Sequence, residues 1–156
     1  MSVDDEFLRV AVDISADISG RGGFPVGAII VKGNEIISQG VSDGKRHHDP
    51  TWHAEIDAIR RASARLKTRN LRDTVLYSSM EPCLMCYAAC YWANISKIVF
   101  AVGKDQLDEM HYEKGISSAE ISSSILQHWP IEIIHHYSQE ARALEIVQNW
   151  EVATYG

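Results

Sequence analysis

The chain has 156 residues, of which 46% are hydrophobic and 23% are charged. This length favours one domain over residues 1–156, and the hydrophobic fraction excludes intrinsic disorder as the main state. The 15 basic and 21 acidic residues give a net charge of −6. That charge disfavours a protein whose main role is to bind phosphate backbones.

The sequence shows no signal for export or for membrane insertion. Its first residues, Met1 to Glu6, are acidic, whereas a signal peptide begins with basic residues. The longest hydrophobic run, residues 83–93, has 11 residues, and a membrane-spanning helix needs about 20. The three cysteines fit reduced thiols better than a disulfide framework. We therefore expect a cytoplasmic protein with no membrane partner.

Hydrophobic residues at helical spacing open the chain, from Phe7 to Ile18. Asp4 or Asp5 is the predicted N-cap of this helix, and Gly20 is its predicted end. Further helices are predicted at residues 51–66, 83–93 and 138–150, and residues 104–127 are predicted to form loop and helix. Because residues 83–93 are hydrophobic on all sides, we expect that helix to be buried.

Short runs rich in β-branched residues predict five strands between these helices. They are residues 26–31, 35–39, 74–79, 97–102 and 131–136. Gly33 and Asn34 fit a tight turn between the first two strands. Strands that alternate with helices predict an α/β sandwich with several parallel strand pairs.

Two short motifs carry the candidate chemistry. The sequence His-Ala-Glu at residues 53–55 lies near the start of one predicted helix, and Pro-Cys-Leu-Met-Cys at 82–86 begins the next. Cys83 and Cys86 are three residues apart on one helix, so both thiols project to the same side. Both lie in the first turn, where the helix dipole favours thiolates, the form that binds metals.

With His53 as a third ligand, these thiols leave one tetrahedral position open, as in a catalytic zinc site. Glu55 is then placed to take a proton from a zinc-bound water and to pass it to a ring nitrogen and a leaving amine. The pattern His-x-Glu followed by Pro-Cys-x-x-Cys is typical of zinc deaminases.

Two other interpretations of Cys-x-x-Cys exist, a redox pair and half of a structural zinc site. A redox pair does not require the upstream His-x-Glu, and a structural site needs a fourth Cys or His. The remaining cysteine, Cys90, lies one helical turn beyond Cys86 and is predicted to be a small core residue.

These motifs resemble the cytidine deaminase-like superfamily, in the branch of tRNA adenosine deaminases, guanine deaminases and small zinc cytosine deaminases. The matching stretches are residues 23–28, 49–55 and 76–86, and the resemblance covers residues 7 to about 103. It implies a three-layer α/β/α sandwich with a five-stranded mixed sheet, and a homodimer. It also implies one zinc ion per chain on His53, Cys83 and Cys86, with Glu55 as the proton shuttle.

One position departs from the pattern of this family. Its members usually carry an asparagine eleven residues before the zinc-binding histidine, where it forms a hydrogen bond with the substrate. The corresponding residue here is Ser42, followed by Asp43. Either Ser42 or Asp43 performs this role in another way, or the substrate differs from the common ones.

Other residues are candidates for substrate contacts in the second half of the chain and beside the metal motif. An aromatic ring could stack on a nucleobase, and a second acid in the late loop is typical of guanine deaminases. The aromatic candidates are Trp52, Tyr112 and Trp150; the acidic candidates are Asp108, Glu109 and Glu113, of which Glu113 is closest to the expected place.

Charge favours a small substrate over a nucleic acid. Residues 105–151 contain nine acidic and two basic residues, and an acidic cover repels a phosphate backbone. The six basic residues within residues 60–72 favour the opposite conclusion, although a solvated helix face also explains them. We therefore expect a deaminase of a free nucleobase of the guanine or cytosine type. A tRNA adenosine deaminase is the alternative, and a non-enzymatic zinc scaffold would leave Glu55 without a role.

Overall fold

A computed structural model describes residues 1–113, 116–124 and 130–156. A mixed five-stranded sheet forms the centre, in the order β2-β1-β3-β4-β5. Its strands are β1 Gly27–Lys32, β2 Glu35–Val41, β3 Thr74–Met80, β4 Lys97–Val102 and β5 Glu132–His135. The strand β1 is antiparallel to β2 and β3, whereas β3, β4 and β5 run parallel. The predicted mixed α/β sheet is confirmed.

Helices cover both faces of the sheet. They are α1 Val3–Gly20, α2 Gly44–His47, α3 Ala54–Leu66, α4 Leu84–Trp92, α5 Ser118–Ser124 and α6 Glu140–Tyr155. One core joins α1 and α6 to the face of β1 that carries Ile29 and Val31. The other core joins α3 and α4 to the face that carries Ala28 and Ile30. Both faces of β1 are buried, which explains its continuous hydrophobic sequence.

Two predicted details of the helices were wrong. The N-cap of α1 is Ser2, whose hydroxyl accepts a hydrogen bond from the Asp5 backbone N–H, while the Asp5 carboxylate accepts one from the Ser2 N–H. This capping box places Asp5 at the third helical position. The helix α4 is buried on one side only, because Trp92 is 79% exposed and Leu84 is 38% exposed.

After residue 103, the structure differs from the prediction mainly in where the helices and turns begin and end. Short 3₁₀ turns occupy Lys104–Gln106 and Glu109–His111 before α5. The rest of the predicted loop and helix, at 114–115 and 125–127, lies outside the described residues. The closing helix α6 continues to Tyr155, beyond the predicted end at residue 150. No helix in the described ranges combines the length and the hydrophobicity that a membrane span needs.

Several chain segments meet at one edge of the sheet. The carboxyl ends of β2, β3 and β4 lie there, together with the start of β1, because β1 runs opposite to its two neighbours. The helix α3 packs closely on β2 near this edge. A Cβ atom at Gly40 would lie 2.1 Å from the carbonyl oxygen of Ala54, so only glycine permits this approach.

Candidate functional site

The two sequence motifs meet at this edge of the sheet. His53 is the N-cap of α3, and Cys83 is the N-cap of α4. The Nδ1 atom of His53 lies 3.6 Å from the Sγ atom of Cys83 and 3.5 Å from that of Cys86. The potential ligand atoms of the three residues all lie within 4.8 Å of one another. The fold therefore gathers one imidazole and two thiols at a single point.

These separations fit a zinc ion. A tetrahedral site with Zn–S bonds of about 2.3 Å and Zn–N bonds of about 2.0–2.1 Å places its nitrogen and sulfur ligands about 3.5 Å apart. The His53 to sulfur distances of 3.5 and 3.6 Å match that spacing. One nitrogen and two sulfur ligands are also a donor set that zinc accepts, with a fourth position for water.

The electrostatics of the cluster favour a bound cation. The neighbouring Cys86 thiol and the His53 imidazole together lower the pKa of the Cys83 thiol to about 4. The adjacent Cys83 and burial raise the pKa of Cys86. The Cys83 thiol therefore ionises easily, whereas the negative charge on Cys83 opposes ionisation of the Cys86 thiol. A divalent cation between them stabilises both thiolates.

Glu55 lies beside the cluster on the first turn of α3. Its side chain is almost fully buried, with 3% of the residue exposed. One carboxylate oxygen lies 3.3 Å from the Ser78 hydroxyl, and the other lies 3.4 Å from the Cys86 sulfur. Burial raises the pKa of Glu55, which is the direction that suits a carboxylate that both accepts and returns a proton. We refer to His53, Glu55, Cys83 and Cys86 as the floor of the site.

The sequence of this region matches a known family. Residues 1–102 match the cytidine and deoxycytidylate deaminase zinc-binding region. The chain belongs to this deaminase family. Membership establishes a zinc-binding domain, and the gathered His53, Cys83 and Cys86 provide one site for the ion in each chain.

The relatives of this deaminase act on different substrates. A tRNA-specific adenosine deaminase of Buchnera aphidicola is 41% identical over 97 residues, covering 62% of this chain and 60% of that protein. A guanine deaminase of Bacillus subtilis is 37% identical over 118 residues, covering 75% of this chain and 76% of that protein. A solved structure from studies of A-to-I editing by tRNA:A34 deaminases has a TM-score of 0.79 at 26% identity, covering 90% of this chain and 98% of that chain.

A small cavity of about 30 Å³ lies over the floor of the deaminase site. Besides the floor residues, its walls include Phe24, Ser42, Glu81, His111 and Tyr112. A larger cleft of about 890 Å³ adjoins it, and Phe24 and Ser42 line both spaces. We refer to the inner cavity as the chamber, and Phe24 and Ser42 mark its junction with the outer cleft.

Aromatic rings and one hydrogen bond between a histidine and a glutamate form this junction. The ring of Phe24 lies 5.2 Å from that of His111 and 5.1 Å from that of Trp150, between centroids. The Nε2 atom of His111 lies 2.7 Å from a carboxylate oxygen of Glu151. We refer to Phe24, His111, Trp150 and Glu151 as the mouth of the site. Neither His111 nor Glu151 is predicted from the sequence, because the two are 40 residues apart and neither belongs to a motif.

The predicted substrate-binding residues occupy different environments. Ser42 lines both the inner cavity and the outer cleft, and Trp150 lines the outer cleft. Asp43 also lines the outer cleft, where it pairs with Arg46 and His47 at 2.6 and 3.1 Å.

Trp52 and Glu113 contact other protein groups. The Trp52 ring stacks on His47 with centroids 3.7 Å apart, and among the described residues Trp52 does not line the inner cavity. The Glu113 carboxylate accepts hydrogen bonds from the Leu84 backbone N–H at 2.5 Å and from Lys104 at 3.1 Å. Glu113 thus holds the start of the helix that carries the two cysteines.

Glu81 connects the floor to the loop that follows β4. Its two carboxylate oxygens accept hydrogen bonds from the backbone N–H groups of Lys104 at 2.8 Å and Ser118 at 2.9 Å. Its backbone carbonyl accepts a hydrogen bond from the Tyr112 hydroxyl at 2.8 Å. Buried charge-assisted hydrogen bonds of this kind are strong. The residue before Pro82 therefore fixes the loop that supplies one wall of the cavity.

Basic residues lie in two distinct places. Arg60, Arg61 and Arg65, from the basic segment 60–72, pair with Asp49, Asp57 and Glu35 on their own part of the surface. The outer cleft is lined instead by Arg21, Lys45, Arg46 and His48. The cleft beside the chamber thus carries positive charge, although the protein as a whole is acidic.

Proposed function

We propose that this protein is a zinc-dependent hydrolytic deaminase of a free nucleobase of the guanine or cytosine type. The observation that carries the proposal is the mouth, in which Trp150 and Glu151 of α6 meet Phe24 and His111. The inner cavity of about 30 Å³ has room for about one water molecule, so a nucleobase over the floor must extend into the outer cleft. There the rings of Phe24 and Trp150 offer flat apolar surfaces that suit an uncharged aromatic substrate.

The floor residues have separate tasks in the proposed reaction. His53, Cys83 and Cys86 would hold the zinc ion, which when bound would make a water molecule nucleophilic at neutral pH. Glu55 accepts one proton of the attacking water and donates it to the ring nitrogen beside the reacting carbon. It then takes the second proton from the newly added hydroxyl group and delivers it to the leaving amine. The C–N bond breaks, a C=O bond forms, and ammonia leaves.

One observation supports a free base over a polynucleotide. The carboxylate of Glu151 lies at the mouth, 2.7 Å from Nε2 of His111, and a negative charge beside the inner cavity repels phosphate groups.

The deciding experiment measures ammonia release from guanine, cytosine and isocytosine beside inosine formation in tRNA, at equal enzyme concentration. We expect turnover of at least one free base, at a rate that changes little with ionic strength because no phosphates are bound. Glu55→Gln serves as the inactive control. Efficient inosine formation in tRNA without ammonia from any base would overturn the proposal.

A second candidate function, tRNA adenosine deamination, is favoured by the outer cleft. Arg21, Lys45 and Arg46 line this cleft directly beside the chamber, and basic side chains there could bind the phosphates of flanking nucleotides. The double substitution Lys45→Glu and Arg46→Glu separates the two functions. The double substitution would abolish a tRNA activity together with its salt dependence. For a free base, we expect kcat/KM to change by less than about threefold, because a neutral base makes no phosphate contact.

We also propose that the protein is a homodimer through the exposed side of α4. Trp92 and Leu84 are 79% and 38% exposed on this helix, and exposed hydrophobic surface of this kind is typical of subunit interfaces. Light scattering should then give twice the chain mass of 17.5 kDa, and Trp92→Asp should reduce it to the monomer. A wild-type monomer at micromolar concentration would contradict this proposal.

A further inference from the structure

The hydrogen bond between His111 and Glu151 at the mouth has a defined direction. The side chain of His111 is 4% exposed and that of Glu151 is 30% exposed, with 2.7 Å between Nε2 and the carboxylate oxygen. A carboxylate at this distance keeps the proton of a neutral imidazole on Nε2. The other ring nitrogen, Nδ1, is then a hydrogen-bond acceptor.

The position of His111 determines which part of a substrate it meets. Its ring lines the inner cavity, together with His53 and Glu55. It also packs against Phe24, which borders the outer cleft, and lies 6.1 Å from the ring of Trp150, which lines that cleft. His111 therefore lies between the floor and the outer cleft. A base whose reacting carbon lies over the floor would present its remote edge towards this residue.

That remote edge distinguishes free bases from nucleosides. In a free base, the ring nitrogen that would carry the sugar bears a hydrogen, which can donate to an acceptor. In a nucleoside the same nitrogen is substituted and offers no donor. A buried acceptor that stays unpaired is costly, so a site built to bind one N–H group rejects an analogue that lacks it.

We infer that the His111–Glu151 pair is a specificity determinant that selects free bases over nucleosides by accepting a hydrogen bond from this ring N–H. The inference rests on the proposed function, since it assumes a nucleobase in the inner cavity. Glu151 acts through His111 and is a positioning residue, while His111 contacts the substrate directly.

Two substitutions test the pair against a matched control. His111→Phe retains an aromatic ring against Phe24 and removes both nitrogens. Glu151→Gln allows the side-chain amide to donate to Nε2, which releases the proton to Nδ1 and replaces the acceptor with a donor. Glu145→Gln removes an exposed acid from the same helix, α6, and serves as the control.

The measured quantity is the ratio of kcat/KM for a base to kcat/KM for its nucleoside, with guanine and guanosine or cytosine and cytidine. We expect His111→Phe and Glu151→Gln each to lower this ratio at least about tenfold, mainly through a higher KM for the base, since one hydrogen bond to a buried group is lost. Zinc content and the kcat for the base should stay near wild type. Glu145→Gln should change none of these values.

The outcomes separate the inference from the proposed function. If the wild type deaminates a base and both variants keep the wild-type ratio, the inference is overturned and the function stands. If either variant lowers activity on base and nucleoside equally, together with its zinc content or melting temperature, the pair is structural and the inference is overturned. If the wild type deaminates no base, the proposed function fails and the inference falls with it.

Discussion

The floor and the mouth of the active site are built in different ways. The floor comes from two short motifs, each at the start of a helix, with ligand atoms within 4.8 Å of one another. The mouth is assembled from residues 24, 111 and 150–151, which are brought together only by the tertiary fold. Local sequence thus fixes the reaction, and long-range packing shapes the space that a substrate must enter.

The two regions also differ in the interactions that hold them. The floor depends on buried thiols, an imidazole and a carboxylate, which a cation can stabilise. The mouth depends on ring contacts with centroids 5.1–5.2 Å apart and on one partly exposed hydrogen bond between His111 and Glu151. Substitutions in the floor should therefore abolish turnover of every substrate, whereas substitutions in the mouth should change affinity and selectivity.

The largest effect is expected from removing a metal ligand. Cys86→Ala should abolish turnover and reduce the zinc content from one ion per chain to a small fraction, because two remaining ligands bind zinc weakly. The measurement is metal analysis of purified protein beside an activity assay. Cys90→Ala is the matched control, since Cys90 is equally buried and should retain zinc. Full zinc content in Cys86→Ala would contradict the proposed ligand set.

The next largest effect is expected from the proposed proton shuttle. Glu55→Gln should keep the zinc and the fold but lower kcat by about 10²–10⁴-fold or more, the range typical of a general acid–base group. Single-turnover kinetics and metal analysis test both parts of this prediction. A rate near that of wild type on the true substrate would show that another group moves the proton.

A smaller effect is expected at the mouth. Trp150→Ala should raise KM by about three- to tenfold, with kcat and zinc content near wild type, because one aromatic contact contributes about 0.5–1.5 kcal/mol. Steady-state kinetics on the free base measures the change. Tyr137→Ala, which removes an exposed aromatic side chain outside both cavities, should leave both constants unchanged. A loss of zinc in Trp150→Ala would mean that floor and mouth are not separable.

The sequence predicted the floor because its geometry is local. The spacing of Cys83 and Cys86 and the helix starts at residues 54 and 84 are sufficient to place the ligands. Trp52 shows the limit of this reasoning. Although it adjoins His53, successive side chains in extended backbone point to opposite sides, and Trp52 stacks on His47. Its role in substrate binding stays a prediction.

The mouth could not be predicted for a physical reason. His111 and Glu151 interact because α6 packs against β4 and brings its last turns over the end of that strand, and no periodic pattern records such a contact. Glu113 illustrates the same limit. The sequence places it near the active site, but only the structure shows its carboxylate on the backbone N–H of Leu84.

The close approach of β2 and α3 at Gly40 has a consequence for protein engineering. A methyl group at this position would meet the Ala54 carbonyl oxygen at 2.1 Å and the Ala58 backbone nitrogen at 2.4 Å, and backbone atoms cannot rotate away. The helix would have to move outwards, carrying its N-terminal residues His53 and Glu55 with it. Mutant libraries that vary the edge strand β2 at residue 40 will therefore reduce zinc retention, although this residue does not line the chamber. The buried position 40 should be held as glycine while surface positions of β2 are diversified.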